Sequence, residues 1–549
     1  MYVRVKTSPN SKGKSVQIVS TTRKGSNVIQ KIVRHVGMAY DEGQLEKLKL
    51  LAESIKVKLE ADCQELLISP EELAKIKIEQ DRYSDDDYKV NLKDLREEAR
   101  VVSGIHDVYG TLFDEAGYSK IFAHPARNIY TANVFKDIVL ARIANPASKR
   151  ASVDRLEEDY GISISLDSVY RMMDKLDGKA IDKLQSLSYS ATKALFAEKI
   201  SVIFFDCTTI YFESFKEDSL KKNGWSKDKK FGQPQVLLAL MVTEEGLPVG
   251  YRVFEGNKYE GATLIPAISQ IKQKYDIENV VFVADSAMMA HYSTKFLDDN
   301  NISYIVGARL KSLPKELKDK ILEGSNYEST ETGSVAEFNY GTKRLIVSYS
   351  QKRATKDAAD RQAAIESIEK KLSKTKNPKD YLSSYGYKKY INVGTAAKIT
   401  IDKDKIDADS AYDGLLGVIT NNKEKAASQI LSHYHNLYQV EDAFRLTKHD
   451  LAVRPVFHWK PDRVSAHIAI CFCAYSIIKY LEYRVRLQYK KLSPEKIRQT
   501  LVRVQTSVLY DSKRKIRYGL PSKMSADARK IYDIFKIKKN LTPYIIKKL

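Results

Sequence analysis

Two short apolar runs, each followed by an aspartate, constrain the fold of this chain more than any other feature. The run 202–205 precedes Asp206, and the run 280–284 precedes Asp285. Continuous runs rich in Val, Ile and Phe are typical of central strands buried on both faces of a sheet. An acid immediately past such a strand lies at its carboxyl end, where open α/β sheets bind their ligands. A lone aspartate of this kind is more often a turn residue or helix cap, whereas two of them predict a polar site at a sheet edge.

A second feature is the stretch 433–450, HYHNLYQVEDAFRLTKHD, which predicts an amphipathic helix. At 100° per residue, one face carries a phenol, a carboxylate and two cations within an arc of about 60°. These residues are Tyr434, Glu441, Arg445 and Lys448. The apolar residues of the neighbouring flank, which would face a core, are Leu437, Val440, Phe444 and Leu451. The charged face suits a site that handles phosphates, and the alternative is an ordinary surface helix with solvated charges.

Asp206, Asp285 and Glu441 resemble the acidic triad of the DDE transposases of bacterial insertion sequences. The predicted helix is similar to the Y-x2-R-x3-E-x6-K signature of one large group of these enzymes. Tyr434, Glu441 and Lys448 keep its spacing, and the resemblance extends over about residues 100 to 480. It implies a catalytic core of ribonuclease-H-like fold, in agreement with the predicted order of three hairpin-linked strands, a helix, a strand, a helix and a strand over 200–307.

The chain departs from the family pattern at two places. Leu437 occupies the arginine position of the signature, and Ser286-Ala287 follows the second aspartate where many relatives have a glycine. We expect Arg445, one turn beyond Glu441, to supply the missing cation on the same face.

The resemblance also implies a catalytic mechanism that depends on divalent metals. Three carboxylates brought together at a sheet edge would repel one another unless cations enter. We expect two ions, Mg²⁺ or Mn²⁺, with Asp206 bridging both and with Asp285 and Glu441 each holding one. The residues expected to contact the phosphates of the cut strand are Tyr434, Arg445 and Lys448.

The balance of charge indicates a polyanionic partner. The chain of 549 residues has a formal net charge of +21, spread over nearly every segment. Such a surface favours nucleic acid, while an anionic membrane is the other candidate and no basic amphipathic anchor stands out. The apolar stretch around 464–484 is interrupted by His467 and Lys479, so we expect no spanning helix. Four cysteines form neither a disulfide framework nor a CxxC pair. These features predict a cytoplasmic protein, and the resemblance implies a bacterial one that is associated with the nucleoid when it is on DNA.

The order of patterns along the chain predicts six regions. They are 1–100, an N-terminal β unit with a helix and a linker; 101–198, a helical region; 199–309, the first part of the core; 310–410, an inserted mainly β domain; 411–485, the second part of the core with Glu441; and 486–549, a basic C-terminal region. Within 101–198, two helices joined by GISISLD are consistent with a DNA-binding helix-turn-helix, although ordinary helical hairpins are far commoner. Its predicted DNA-binding cations are Arg150, Arg155, Arg171 and Lys175.

These observations predict a transposase that cleaves DNA at the inverted-repeat ends of an insertion sequence and joins the 3′-OH to target DNA. Two ends must be joined, so we expect a homodimer on double-stranded DNA. Two alternatives remain at this point. The first is a metal-dependent nuclease on the same fold, which would cut without joining. The second is a transposase-derived DNA-binding protein that has lost catalysis, a possibility that Leu437 and Ser286-Ala287 keep open.

Overall fold

The structure is a computed structural model that describes residues 2–7, 13–24, 27–60, 88–195, 200–213, 216–225, 232–275, 280–286, 291–331, 333–374, 388–393, 399–454, 456 and 458–548. The chain forms two compact units. Unit 1 comprises Met1–Leu112, Ser148–Ser165 and Arg484–Leu549, and unit 2 comprises Phe113–Ala147 and Leu166–Tyr483.

The described strands and helices are numbered in chain order. The strands are β1 (Tyr2–Thr7), β2 (Lys14–Lys24), β3 (Asn27–Ala39), β4 (Leu95–Val102), β5 (Val202–Tyr211), β6 (Gln235–Thr243), β7 (Pro248–Glu255), β8 (Val281–Ala284), β9 (Ser303–Gly307), β10 (Glu328–Thr330), β11 (Gly333–Tyr340), β12 (Lys343–Tyr349), β13 (Ile391–Val393), β14 (Ile399–Ile401), β15 (Leu415–Thr420), β16 (Gln505–Asp511), β17 (Ile516–Pro521) and β18 (Tyr544–Lys548). The α-helices are α1 (Glu42–Glu60), α2 (Gly104–Glu115), α3 (Ile129–Ala144), α4 (Lys149–Tyr160), α5 (Leu166–Asp174), α6 (Gly178–Leu195), α7 (Leu264–Lys274), α8 (His291–Asp299), α9 (Lys315–Leu322), α10 (Gln351–Lys374), α11 (Lys403–Ser410), α12 (Ala427–His435), α13 (Tyr438–Arg445), α14 (Pro461–Gln488), α15 (Pro494–Val502) and α16 (Ala526–Ile534).

Unit 2 is built on a nine-stranded sheet with the strand order β10-β11-β12-β15-β9-β8-β5-β6-β7. Strands β5, β6 and β7 are antiparallel neighbours, whereas β8 and β9 run parallel to β5. The order β7-β6-β5-β8-β9 with these directions is that of the ribonuclease-H-like fold. The residues through which β5 and β8 pair with each other are all buried, as expected for apolar runs covered on both faces of the sheet. The predicted mixed α/β core is therefore present.

The segment 310–410 is arranged differently from the sequence expectation. Strands β10, β11 and β12 extend the large sheet beyond β9, because β15 pairs with both β9 and β12. Within the described part of this segment, only β13 and β14 pair outside the large sheet. A separate inserted β domain is thus not confirmed, since the pairing of β12 with β15 joins its main strands to the core.

Unit 1 contains two antiparallel sheets. Strands β1, β2 and β3 form the predicted N-terminal β unit, and α1 packs on it over Val16, Ile18 and Leu45. Strands β18, β17, β16 and β4 form the second sheet, in which the strand at 95–102 pairs with the strand at 505–511. Much of the predicted linker after α1 lies outside the described residues. The predicted domain boundaries otherwise remain predictions.

The helices predicted as a helix-turn-helix belong to different units. Helix α4 lies in unit 1 and packs against β4, whereas α5 lies in unit 2 and packs against α3. Each helix thus has a packing partner within its own unit. DNA binding by this pair remains a prediction.

Helix α14 is the long apolar helix of the fold. Contrary to the sequence expectation, it is long and apolar enough to span a membrane by length and composition, yet 89% of its apolar window is buried inside the protein. In unit 2, the Tyr475 hydroxyl donates to the carbonyl of Gly246 in the β6–β7 turn at 2.6 Å. Cys471 and Cys473 of this helix are buried. The helix is therefore a core helix that packs inside the protein.

Candidate active site

The two aspartates occupy neighbouring positions on adjacent parallel strands. The pairing of β5 with β8 ends at Phe205 and Ala284, so Asp206 and Asp285 are the next residues on each strand. Neighbouring strands lie about 4.8 Å apart, which brings these two positions together. The sequence pattern predicted that Asp206 lies just past the end of its strand, and this prediction is wrong. It lies inside β5, because β5 continues to Tyr211 by pairing with β6 alone.

Both aspartates lie on the face of the sheet that the signature segment covers. Cys207 and Ala284 belong to the hydrophobic cluster on one face, and side chains alternate along a strand, so Asp206 and Asp285 lie on the other face. Asp206 pairs with Leu240 of β6. Leu240 lines a small cavity with Thr447 and Val453, which follow Glu441 in the chain. Helix α13, which carries Glu441, packs against β5 and β6.

The stretch 433–450 forms three helical segments where one helix was predicted. Helix α12 ends at His435, α13 begins at Tyr438, and Leu446–Asp450 is a π-helix. The predicted single helix is therefore wrong. Spacing of 100° per residue does not hold through a π turn, so the common face of its polar residues stays a prediction. The apolar flank is confirmed, since Leu437, Val440, Phe444 and Leu451 are all buried.

The charges of the second aspartate and the glutamate both act on Tyr434. Burial, together with the negative charges of Asp285 and Glu441 and against the opposing charge of Arg353, raises the pKa of Tyr434 to about 12. The Tyr434 hydroxyl fills the space where a β carbon of Gly307 would stand, and Ser286 N lies 3.2 Å from that point. A glycine at the end of β9 is therefore required for this placement of the phenol. The phenol remains a hydrogen-bond donor at neutral pH.

The three carboxylates differ in their surroundings. Asp206 is half-buried, and its Oδ1 accepts from the backbone N–H of Cys207 at 2.7 Å. Asp285 is exposed, and its Oδ1 accepts from the backbone N–H of Ser286 at 2.6 Å. Glu441 is exposed on α13. Ala287, the second residue of the departure from the family pattern, lies outside the described residues.

A cation whose charge acts on this phenol, Arg353, was missed by the sequence analysis. Arg353 stands in the first turn of α10, and it lines a cleft of about 680 Å³ together with Ala308 and Gly417. Ala308 directly follows Gly307, so the cleft opens beside Tyr434. Arg353 lies 3.6 Å from Asp357 and keeps 46% of its side chain exposed. No local pattern relates Arg353 to the signature, because the fold alone brings α10 to this edge.

The two predicted cations of the signature segment, Arg445 and Lys448, differ in exposure. Arg445 is exposed, and its Nε donates to Asp442 at 3.3 Å. Lys448 is half-buried within the π-helix. Leu437, at the arginine position of the signature, is 9% exposed at the start of α13 and packs as a core residue.

The segment after the π-helix is held by two buried side chains. Arg142 Nη1 donates to the carbonyls of Leu451 and Ala452 at 3.2 and 3.1 Å. His467 Nε2 lies 3.0 Å from the carbonyl oxygen of Val453. Ala452 has φ 43°, a left-handed conformation that costs a residue with a β carbon free energy. This clamp fixes the end of the segment that carries Glu441 and Lys448.

The four cations predicted in the helical region are split between the units. Arg150 and Arg155 lie on α4 in unit 1, exposed and half-buried respectively. On α5, Arg171 is paired with Asp167 at 2.6 Å, and Lys175 Nζ donates to Asn128 at 2.7 Å. Their role in DNA binding stays a prediction.

The carboxylates of the site are the groups that could hold a divalent metal. Among the described residues, no three His, Cys, Asp or Glu side chains lie together as a ready-made metal cluster. Mg²⁺ is usually held by one or two carboxylates with waters and substrate phosphates, instead of an all-protein cage. Asp206 and Asp285 supply two adjacent carboxylates of this type. The residues therefore fit a metal that binds together with a phosphate-containing substrate.

Comparisons with known proteins give a family. Residues 197–477 match the family model described as transposase DDE domain. No curated protein matches the chain. The chain is similar at 11% identity to the piggyBac transposase in a synaptic complex with hairpin DNA, with a TM-score of 0.37 and coverage of 73% of this chain and 76% of that one. It is similar at 12% identity to the Mos1 transposase in a paired-end complex with the left transposon end, with a TM-score of 0.15 and coverage of 48% and 74%.

Proposed function

The chain belongs to the transposase DDE domain family, since the family model covers residues 197–477, and we propose from this premise that it cleaves DNA at the ends of an insertion sequence and joins them to target DNA. The observation that carries the proposal is the placement of Asp206 and Asp285 at adjacent strand positions, on the sheet face against which the segment of Glu441 packs.

The three acids have distinct roles in the proposal. Asp206 is half-buried between β6 and the end of β8, so it is the most rigidly placed and would contact both of two ions. Asp285 and Glu441 are exposed and would each hold one ion. When bound, Mg²⁺ or Mn²⁺ activates the attacking hydroxyl and stabilises charge on the leaving oxygen.

The remaining residues position the phosphate. Tyr434 donates a hydrogen bond from its protonated phenol to a phosphate oxygen of the cut strand. Lys448 and Arg353 offset the negative charge of that phosphate on either side. Arg353 takes the part that the buried Leu437 cannot take, because its charge acts on the Tyr434 phenol.

The wider setting follows from the same family. We propose that the enzyme belongs to the signature group of bacterial insertion-sequence transposases, that it binds inverted-repeat ends and target DNA, and that it acts as a homodimer in the cytoplasm. The net charge of +21 supports a DNA partner.

Asp206→Asn and Glu441→Gln test the site in a gel assay with Mn²⁺ and labelled DNA that carries the element's own ends. We expect end-specific cuts from the wild type and a loss of at least about 10³-fold in each variant, with DNA binding retained. Asp299→Asn is the matched control, because Asp299 ends α8 at the opposite edge of the sheet and is exposed. Cutting that survives Asp206→Asn would exclude this site, and binding without any cut would favour the inactive derivative.

A further inference from the structure

Both tryptophans of the chain are exposed to solvent. The sequence contains two tryptophans, and Trp225 and Trp459 are each 77% exposed. Tryptophan is highly buried on average, because its indole offers one of the largest apolar surfaces of any side chain. Two exposed indoles therefore indicate a surface that a partner covers.

The backbone of Trp459 is fixed beside the end of β5. Phe212, directly after β5, forms a parallel bridge with Val456. The buried Lys221 donates from Nζ to the carbonyl of Trp459 at 3.2 Å, and the same Nζ lies 5.4 Å from the centre of the Phe212 ring. The indole of Trp459 thus projects from an anchored backbone.

The backbone of Trp225 is anchored at the same edge. Lys222 forms an antiparallel bridge with Gln235, the first residue of β6. The fully buried Gln235 side chain donates from Nε2 to the carbonyls of Trp225 and Gly256, each at 2.9 Å. Because Lys221 and Lys222 are adjacent, the anchors of the two tryptophans are adjacent as well.

The backbone anchors of both tryptophans lie at the end of β5, the strand that also carries Asp206 of the acidic site. Asp206 and Tyr211 are five residues apart on β5, which corresponds to about 17 Å at about 3.3 Å per residue. DNA rises about 3.4 Å per base along each strand. A DNA strand that is held at Asp206 and runs along β5 would therefore reach the end of β5 about five nucleotides from the reacting phosphate.

We propose that Trp225 and Trp459 form an aromatic platform that stacks on unpaired bases of the DNA held at the acidic site. The inference rests on the proposed function and names a contact that this function does not require. Every base has a flat π face, so indoles bind unpaired bases irrespective of sequence. Cations close to the two tryptophans in the sequence suit the adjoining phosphates; they are Lys222, Arg454 and Lys460. The net charge of +21 favours a nucleic acid over an acid-poor protein partner.

Tryptophan fluorescence tests the platform directly, because both tryptophans belong to it. The full chain is titrated with a twelve-nucleotide oligothymidylate and with an abasic oligomer of the same length and charge. We expect quenching by the first alone. Trp225→Phe and Trp459→Phe each leave one reporter, and each remaining indole should still be quenched. Trp225→Ala with Trp459→Ala should weaken binding of a labelled oligothymidylate by roughly 5- to 150-fold per stacked base and leave abasic binding unchanged.

The controls separate this platform from the catalytic proposal. Asp206→Asn should abolish cutting and leave quenching intact. Leu487→Ala truncates an apolar side chain that is 63% exposed in unit 1, and it should change neither. Equal binding of both oligomers, or binding that is unchanged in the double variant, would overturn the platform. A double variant that alters only the oligomeric state would assign the indoles to a protein contact and would overturn it too.

Discussion

At the scale of single residues, Tyr434 links the candidate site to its chemistry. Its hydroxyl lies against Gly307 and near Ser286, and it is influenced by the charges of Asp285 and Glu441. A partly buried phenol that is influenced by two carboxylates keeps its proton, so it can act as a donor and not as a base. In the proposed function, Tyr434 therefore positions a phosphate without taking part in proton transfer.

The raised pKa of Tyr434 gives a pH prediction. Because the folded pKa is about 12 and the ordinary value is 10.0, the phenol stays protonated below pH 10, and its contribution to stability is lost as the pH rises from 10 to 12. Tyr434→Phe should therefore lower cleavage by about 10-fold, by a factor that is constant between pH 7 and 9.5. A ratio of wild-type to variant rates that changes across this range would contradict the donor role.

Gly307→Ala offers an independent check on the same phenol. The added β carbon would occupy the space of the Tyr434 hydroxyl, so cleavage should fall at least as far as in Tyr434→Phe. Gly324→Ala is the matched control, since a β carbon there meets no atom within 4 Å. Circular dichroism should show the same fold in both variants.

At the scale of elements, two substitutions test the clamp after the π-helix, because they should change the free energy of unfolding in opposite directions. Arg142→Met removes two charge-assisted hydrogen bonds to Leu451 and Ala452 and should lower the free energy of unfolding by about 2–4 kcal/mol. Ala452→Gly relieves a left-handed backbone and should raise it by up to about 1 kcal/mol. Denaturant titration measures both changes. Equal effects of the same sign would contradict the clamp.

Sequence patterns predicted the core of this fold well, because its strands are local apolar runs. The β6–β7 hairpin with Gly246 at its turn, β8 and β9 all stand where their patterns indicate. The patterns failed where tertiary contacts decide the backbone. The break between α12 and α13 and the π-helix over Lys448 are hidden in a stretch whose helical periodicity looks continuous.

The candidate site was predicted only in part. Asp206, Asp285 and Tyr434 follow local motifs, so a sequence reading finds them. Gly307 and Arg353 come from β9 and α10, which reach this edge through strand pairing and helix packing. Likewise, the joining of β12 to β15 cannot be read from two separate strand patterns, since register and neighbour are properties of the assembled sheet.

At the scale of the whole molecule, the charge of +21 predicts that DNA binding depends strongly on salt. For six to ten phosphate contacts, the affinity should fall by about 10³- to 10⁵-fold between 50 and 200 mM salt. Arg353→Ala should reduce the slope of log affinity against log salt by about 1, whereas Arg100→Ala, an exposed arginine paired with Glu97 in unit 1, should leave it unchanged. An affinity that is insensitive to salt would contradict a phosphate-binding surface.

Strand transfer is the measurement that tests the central claim most directly. The wild-type protein with Mn²⁺ is given a precut element end that carries either a 3′-OH or a 3′-deoxy terminus, together with a supercoiled target plasmid. We predict joined products with the 3′-OH end alone, and none from Asp206→Asn or Glu441→Gln. Cutting of the plasmid without joining, to the same extent with either terminus, would contradict a transposase and identify a nuclease.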